Sequence, residues 1–335
     1  MLALLVTVLL QHPQPTVAPG DYEKRAHTYS IVAYDSATGD LGVAVQSKFP
    51  NVGGIVPWAK AGVGAVATQS LGNTAYGDEG LRLMGLGATA PEAMRIVMRS
   101  DTRAAQRQVG MVDTHGNAAS WTGDSCFDWA GGRTLGADGQ ITIGGKGAMI
   151  VGHGFAAQAN IMVSDQTVKN MADAFQRSTG ALADRLMAAL VAGQAGGGDK
   201  RGMESAALLV VRANGGYLGA NDRYIDIRVY DDTNPIHELQ RLYRLHQLYF
   251  FQSRAEDLIP ITPDVVRQLE PILLSEPTSQ KEKWLDAPQG SATPKFLQAL
   301  ENFMYWENYD VRVRNDGKID RVVLDDILAR RHGRR

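Results

Sequence analysis

Thr28-Tyr29-Ser30-Ile31-Val32-Ala33-Tyr34, the connection Asp35-Ser36-Ala37-Thr38-Gly39-Asp40, and Leu41-Gly42-Val43-Ala44-Val45-Gln46-Ser47-Lys48 decide how this 335-residue chain is read. Both arms are short and rich in β-branched or small residues. The connection is made of residues that bond their own backbone or tolerate positive φ, so the stretch predicts a β-hairpin. A hydroxyl residue opens it. With everything before Thr28 removed, its α-amino group would stand beside its own hydroxyl, the arrangement in which an amine serves as base for a Thr nucleophile.

Outward from the hairpin, Gly53 to Gly62 and Val63 to Gln69 predict two further strands. Helical spacing then takes over at Tyr76 to Leu86 and at Ala90 to Ser100, the second opening with Pro91 in a favoured first-turn position. Strands return at Gln108 to Asp113 and Ala118 to Thr122, joined by Thr114-His115-Gly116-Asn117. The glycine-rich stretch Trp129 to Gly154 carries a short hairpin, Gln140 to Ile143 with Ala148 to Val151. Phe155 to Val163 reads as a strand, Asp165 to Thr179 and Leu182 to Gln194 as amphipathic helices closed by glycines, and Ala206 to Arg212 with Arg223 to Val229 as a last strand pair. This rhythm suits an α+β fold, a four-layer αββα sandwich with two antiparallel sheets inside and helices on each outer face. Past Asn234-Pro235 the chain turns to charged amphipathic helices: Ile236 to Phe251, Thr262 to Leu274, Lys295 to Trp306 and Ile319 to Arg330, with a polar break at Glu276 to Thr293. The expected organisation is a leader and linker over 1–27, the sandwich over 28–235, and a helical C-terminal extension over 236–335.

A formal net charge of -2 supplies no basic field for nucleic acid and no strong acidic field for cations. The single cysteine, Cys126, excludes an intrachain disulfide and a thiolate metal cluster; no His or Asp pattern marks it, so a buried small hydrophobe is expected. The seven histidines show no HExxH or paired spacing, and no cofactor is expected. Asn315 to Asp320 looks faintly like a calcium loop, but Arg312 and Arg314 occupy the places of the first oxygen ligands, so a turn is expected. The apolar run Leu2 to Leu10 has the length of a signal-peptide core, although no Lys or Arg precedes it and Pro19 spoils the following cleavage pattern. Export to the periplasm or cell exterior is the expectation, with a cytoplasmic chain bearing an N-terminal extension as the alternative.

Thr28 to Ala33, Leu41 to Phe49, Pro57-Trp58-Ala59-Lys60-Ala61-Gly62, Ala67-Thr68-Gln69, Ala157-Gln158-Ala159-Asn160-Ile161, Gly193 to Asp199 and Asn221 to Asp226 together resemble the domain of unknown function 1028 family, which is placed in the Ntn-hydrolase superfamily. The resemblance runs from Thr28 to about Leu239. It implies amide-bond hydrolysis by an N-terminal Thr, Ser or Cys, with the α-amino group as base and backbone N–H groups as an oxyanion hole. Many relatives look as if they begin at Met-Thr, whereas this chain carries a preceding segment. Phe296 to Leu328, with Trp306-Glu307-Asn308 and Asp316 to Asp320, resembles the peptidoglycan-binding segment attached to some members.

Candidate residues follow. Thr28 is the candidate nucleophile, or an ordinary Thr opening a strand, and Ser30, two positions on and facing the same side, could orient it or simply bond a neighbour. Gln46-Ser47-Lys48 ends the second strand, where many superfamily members look to place an acid and a base; Gln46 stands in the acidic place. Lys60 could set a positive charge beside Thr28, favouring the neutral amine, or be a solvated strand-end lysine. Gln69 belongs with the substrate-binding set, and Gln158 and Asn160 could donate to a substrate carbonyl or satisfy buried backbone. Asp199, Asn221 and Asp222, with Arg201, Ser205, Arg223 and Asp226, could wall a polar pocket or form structural ion pairs. The leading function is an amide (C–N) hydrolase acting through Thr28 on a small or peptide-like substrate. The rival is a noncatalytic binding protein of the cell envelope whose C-terminal part contacts peptidoglycan or a partner, and a third reading is an oligomerisation scaffold. A homo-oligomer is expected, and no nucleic-acid partner.

Overall fold

A computed structural model describes residues 28–127, 129–130, 148–152, 154–275 and 283–331. The leader and linker expected over 1–27 and the arm expected at Gln140 to Ile143 lie outside the described residues. The chain divides into two compact units with the boundary between Leu239 and Gln240.

In the first unit, β1 (Thr28–Tyr34) and β2 (Leu41–Ser47) form the hairpin expected from the opening stretch, register Thr28 to Ser47. β3 (Pro57–Lys60) and β4 (Gly64–Ser70) follow, β3 shorter than expected because Val52–Gly54 forms a 3-10 turn first. Then come α1 (Ala75–Gly85) and α2 (Ala90–Arg99), β5 (Arg107–Asp113) and β6 (Ala118–Thr122), and β7 (Ala148–Gly152) and β8 (Phe155–Asn160). The unit is completed by α3 (Gln166–Arg177), α4 (Leu182–Ala195), β9 (Ser205–Val211) and β10 (Arg223–Val229). Thr89 caps α2 reciprocally with Glu92 ahead of Pro91, which is why that helix starts where the sequence indicates. Ala148 to Val151 pairs with β8, a partner the hairpin expected within the glycine-rich stretch did not give it.

Two antiparallel sheets result, a six-stranded one in the order β10-β9-β2-β1-β8-β7 and a four-stranded meander β3-β4-β5-β6. An apolar cluster draws Val32, Val43, Val45 and Leu209 from the first sheet together with Ala65, Ala67, Val112 and Ala118 from the second. Alternation along the strands puts Val66, Val109 and Met111 on the opposite face, against Tyr76, Leu81 and Met84 of α1 and Met94 and Val97 of α2. On the first sheet the alternate residue Tyr29 reaches α4, its hydroxyl 3.2 Å from Gln194 Oε1. The protein is a mixed α+β fold of antiparallel sheets followed by C-terminal helices.

The second unit contains most of α5 (Pro235–Phe250), then α6 (Pro263–Leu273), α7 (Pro294–Trp306) and α8 (Arg321–Arg331). Ile319 and Asp320, read from sequence as the start of the last helix, belong instead to β12 (Lys318–Asp320), paired with β11 (Leu258–Pro260). Leu248, Val266, Leu269, Phe296, Leu300, Tyr309, Val323 and Ile327 fill its core.

Candidate functional site

Thr28 opens β1, between β2 and β8, with Ser47 opposite on one side and Asn160 on the other. Its hydroxyl is buried, 3.1 Å from the Ser47 hydroxyl. Side chains of even-numbered residues on β1 point between the sheets, and at this end that space is polar. Gln69 Nε2 donates to the Thr28 carbonyl at 3.1 Å and to Gln108 Oε1 at 2.6 Å. Ser30 Oγ donates to Gln69 Oε1 at 2.6 Å and accepts from Gln158 Nε2 at 2.7 Å. Gln158 Oε1 takes the Ser120 hydroxyl at 3.3 Å. Gln108 Nε2 donates to Thr122 Oγ1 and to the Ala159 carbonyl, while its Oε1 accepts Asn160 Nδ2 at 2.7 Å. Every member of this network is buried, and buried amides are tolerated because they pair with one another and with backbone. Gly110 makes room for it: a Cβ there would stand 2.3 Å from Gln158 Oε1.

Two residues that follow network members carry left-handed backbone, Ser70 after Gln69 (φ 64°) and Ile161 after Asn160 (φ 57°). For a buried β-branched residue such as Ile161 this conformation is strained and persists only where its surroundings enforce it. A hollow of about 190 Å³, lined by Ser70, Leu71, Gln106, Ser125 and Phe127, opens at the same end.

The structure brings Thr28, Ser30, Ser47, Gln69, Gln158 and Asn160 together and separates the other candidates. Ser30 reaches Thr28 only through Gln69. Gln46 is out of phase: it pairs with Tyr29, whose side chain reaches α4, and strand alternation turns it away from Thr28. Both its amide atoms are buried without a hydrogen-bond partner among the described residues. Lys48 lies at the Thr28 end, its backbone N–H donating to Asp199 Oδ2 at 3.3 Å and its Nζ 3.4 Å from Glu204. Asp199 itself is clamped by Arg201 at 3.0 Å, an ion pair rather than an open pocket wall. Burial, with the Asp199 charge adding to it, pushes the Tyr29 phenol up.

Lys60, Asn221 and Asp222 are at the other end. Lys60 pairs with Gly64, five residues or about 16 Å along β4 from Gln69. It lines a groove of about 480 Å³ with Val211, Asn221 and Asp222, and Val211 is aligned with Leu41, the β2 end that pairs with Tyr34 rather than Thr28. Lys60 therefore does not place its charge beside Thr28. Cys126 is buried, its thiol raised mainly by desolvation, with Sγ 3.4 Å from the Arg107 carbonyl. Among the described residues no three His, Cys, Asp or Glu side chains converge as a metal site.

Sequence reasoning missed Gln108, Ser120 and Thr122 as members of the site. The available signal was polar residues at alternate positions in otherwise apolar strands, Gln108 two before Gly110, and Ser120 two before Thr122.

The class defined here is an α+β domain whose two antiparallel sheets enclose a hydroxyl- and amide-lined site at the head of a central strand. The chain belongs to the family of unknown function DUF1028, whose model matches residues 28–239. A second model, described as "Putative peptidoglycan binding domain", matches residues 284–326. Among solved structures, the protein SPO2555 from Silicibacter pomeroyi, assigned to the same family, is 27% identical; the match covers 66% of this chain and 89% of that one, with a TM-score of 0.55. No curated protein matches.

Proposed function

We propose that the first unit is an Ntn-hydrolase-like αββα sandwich that hydrolyses an amide-type C–N bond through Thr28, exposed by removal of residues 1–27. The observation that carries this reading is the Thr28 hydroxyl, buried at the head of a central strand and 3.1 Å from a second hydroxyl, Ser47. In the reaction, Thr28 Oγ1 attacks the substrate carbonyl carbon and its proton passes to the α-amino group. That proton then leaves with the departing amine, and water hydrolyses the resulting ester to release the acid and regenerate the hydroxyl. An α-amino group has an ordinary pKa of about 7.7–8.0, so a usable fraction is neutral near physiological pH. Lys60 takes no part. The match over 284–326 supports an exported protein with a cell-wall substrate, an amide of peptide or amino sugar.

The same match favours a second reading, a noncatalytic envelope protein that binds peptidoglycan. Intact mass and N-terminal sequencing of the protein from its native host separate the two. A chain beginning at Thr28 supports the hydrolase; a chain that retains His27 leaves no amine base and rejects it in favour of binding.

A further inference from the structure

Strand pairing fixes where the Thr28 nitrogen points. The Tyr34 N–H donates to Gly154 O at 2.8 Å, on the β8 side of β1. Backbone groups alternate sides along an antiparallel strand, so those of Thr28, an even number of residues away, also turn toward β8. There Thr28 stands opposite Asn160, and the ladder brings its nitrogen to the Asn160 carbonyl. Residues directly opposite one another also share a face, which sets the Asn160 side chain beside that of Thr28.

The direction of the Asn160 amide is fixed as well. A backbone carbonyl can only accept, so the Gln108 atom 2.9 Å from Ala159 O is Nε2, and its Oε1 must be an acceptor. The Thr28 carbonyl orients Gln69 by the same logic. Asn160 therefore gives Nδ2 to Gln108. Its Oδ1 remains, buried and without a hydrogen-bond partner among the described residues, a costly condition for an acceptor.

An amide nitrogen has one proton, and the ladder takes it. An α-amino group has two when neutral and three when charged. We propose that Asn160 Oδ1 accepts a hydrogen bond from the α-amino group that appears on Thr28 when the preceding residues are cut away, which makes Asn160 the positioning residue for the base; this rests on the N-terminal-nucleophile reading. With one N–H on the Asn160 carbonyl and the other on Oδ1, the remaining tetrahedral position on nitrogen is the lone pair. That lone pair is then the part of the amine left to receive the hydroxyl proton. Asn160 acts as an acceptor for the enzyme's own terminus, not as a donor to a substrate carbonyl.

The test keeps the contact separate from natural processing. In the full-length chain, residues 24–27 are replaced by a factor Xa recognition sequence, so that cutting the folded protein leaves Thr28 first. The α-amino pKa is read from the pH dependence of N-terminal labelling by an amine-reactive reagent. A neutral dipolar acceptor favours the ammonium form, so Asn160→Ala lowers that pKa by about one pH unit. Asn160→Asp keeps an oxygen in place, adds a negative charge and raises it above wild type. Equal pKa values in wild type and Asn160→Ala overturn the proposal. If Asn160→Ala does not fold, Asn160→Asp against wild type decides, and the absence of a rise overturns it. Cleavage of the natural chain before Thr28 is read independently by intact mass, so a failure of processing and a failure of this contact are different results.

Discussion

The hydroxyls of Thr28 and Ser47 lie 3.1 Å apart across the β1–β2 pairing, at neighbouring strand ends in the middle of the larger sheet. Ser47 touches the Thr28 oxygen that we propose as the nucleophile. Ser47→Ala is expected to lower the rate of amine release from an amide substrate about tenfold, the worth of one hydrogen bond of about 1.4 kcal/mol. Thr28→Ala is expected to abolish it, with an unchanged circular dichroism spectrum. Full activity in Thr28→Ala would remove Thr28 from the chemistry.

Gly110 leaves the Cβ position open against the Gln158 amide. A methyl there meets Oε1 at 2.3 Å and Nε2 at 2.6 Å, and Gln158 has no exposed surface toward which it can retreat. Gly110→Ala is expected to cost about 3 kcal/mol, by overpacking and by parting Gln158 from Ser30 and Ser120. A urea unfolding midpoint equal to that of wild type would contradict the packing described.

Asp101 accepts from Tyr76 at 2.7 Å and from Arg107 at 2.8 Å. Burial works to raise its carboxyl, but the hydrogen bonds from Arg107, Tyr76 and the Arg103 N–H outweigh it and hold the group well below the ordinary carboxylate range. The folded value thus lies under the unfolded value of about 3.9, so the stabilisation is complete well above about pH 4 and is lost as pH falls toward the folded value. Asp101→Asn is expected to cost about 2 kcal/mol near pH 7 and nearly nothing at the acid end of that window, measured by urea midpoints across it.

In the C-terminal unit, the buried Arg312 guanidinium donates to Leu248 O at 2.8 Å and Gln247 O at 2.7 Å and pairs with buried Asp320. Arg312→Ala takes the counter-charge from Asp320 and strips two carbonyls near the end of α5, for an expected loss of about 3–5 kcal/mol. Hydrogen exchange over residues 240–331 is expected to accelerate; unchanged protection of β12 would show the pair to be dispensable.

Period and turn chemistry made individual elements legible. The β1–β2 hairpin is the clearest case, since Asp35 to Asp40 holds itself as a turn, with the Ala37 N–H on Asp35 Oδ1. Pairing across long separations was not legible: nothing local to Thr28 says that Asn160, more than a hundred residues away, will lie opposite it. The same gap misplaced Lys60, Asn221 and Asp222, whose residue types suit a site but whose strand ends face away from Thr28. Gln46 was within reach of sequence reasoning, because a period of two puts it with Tyr29 and not with Thr28 or Ser30. Ile319 was read as helix because a three-residue strand paired with Leu258–Pro260 leaves no periodic trace.

The polar layer between the sheets is assembled from amides and hydroxyls, Ser30, Ser47, Gln69, Gln108, Ser120, Thr122, Gln158 and Asn160 among them. None of these groups gains or loses a proton between mildly acid and mildly alkaline solution, and backbone carbonyls hold the amides in one sense. The layer is electrically silent across that range, a fixed template of polarity. The layer itself would then contribute a constant background rather than a response of its own, and any titration felt at the head of β1 would come from groups outside it.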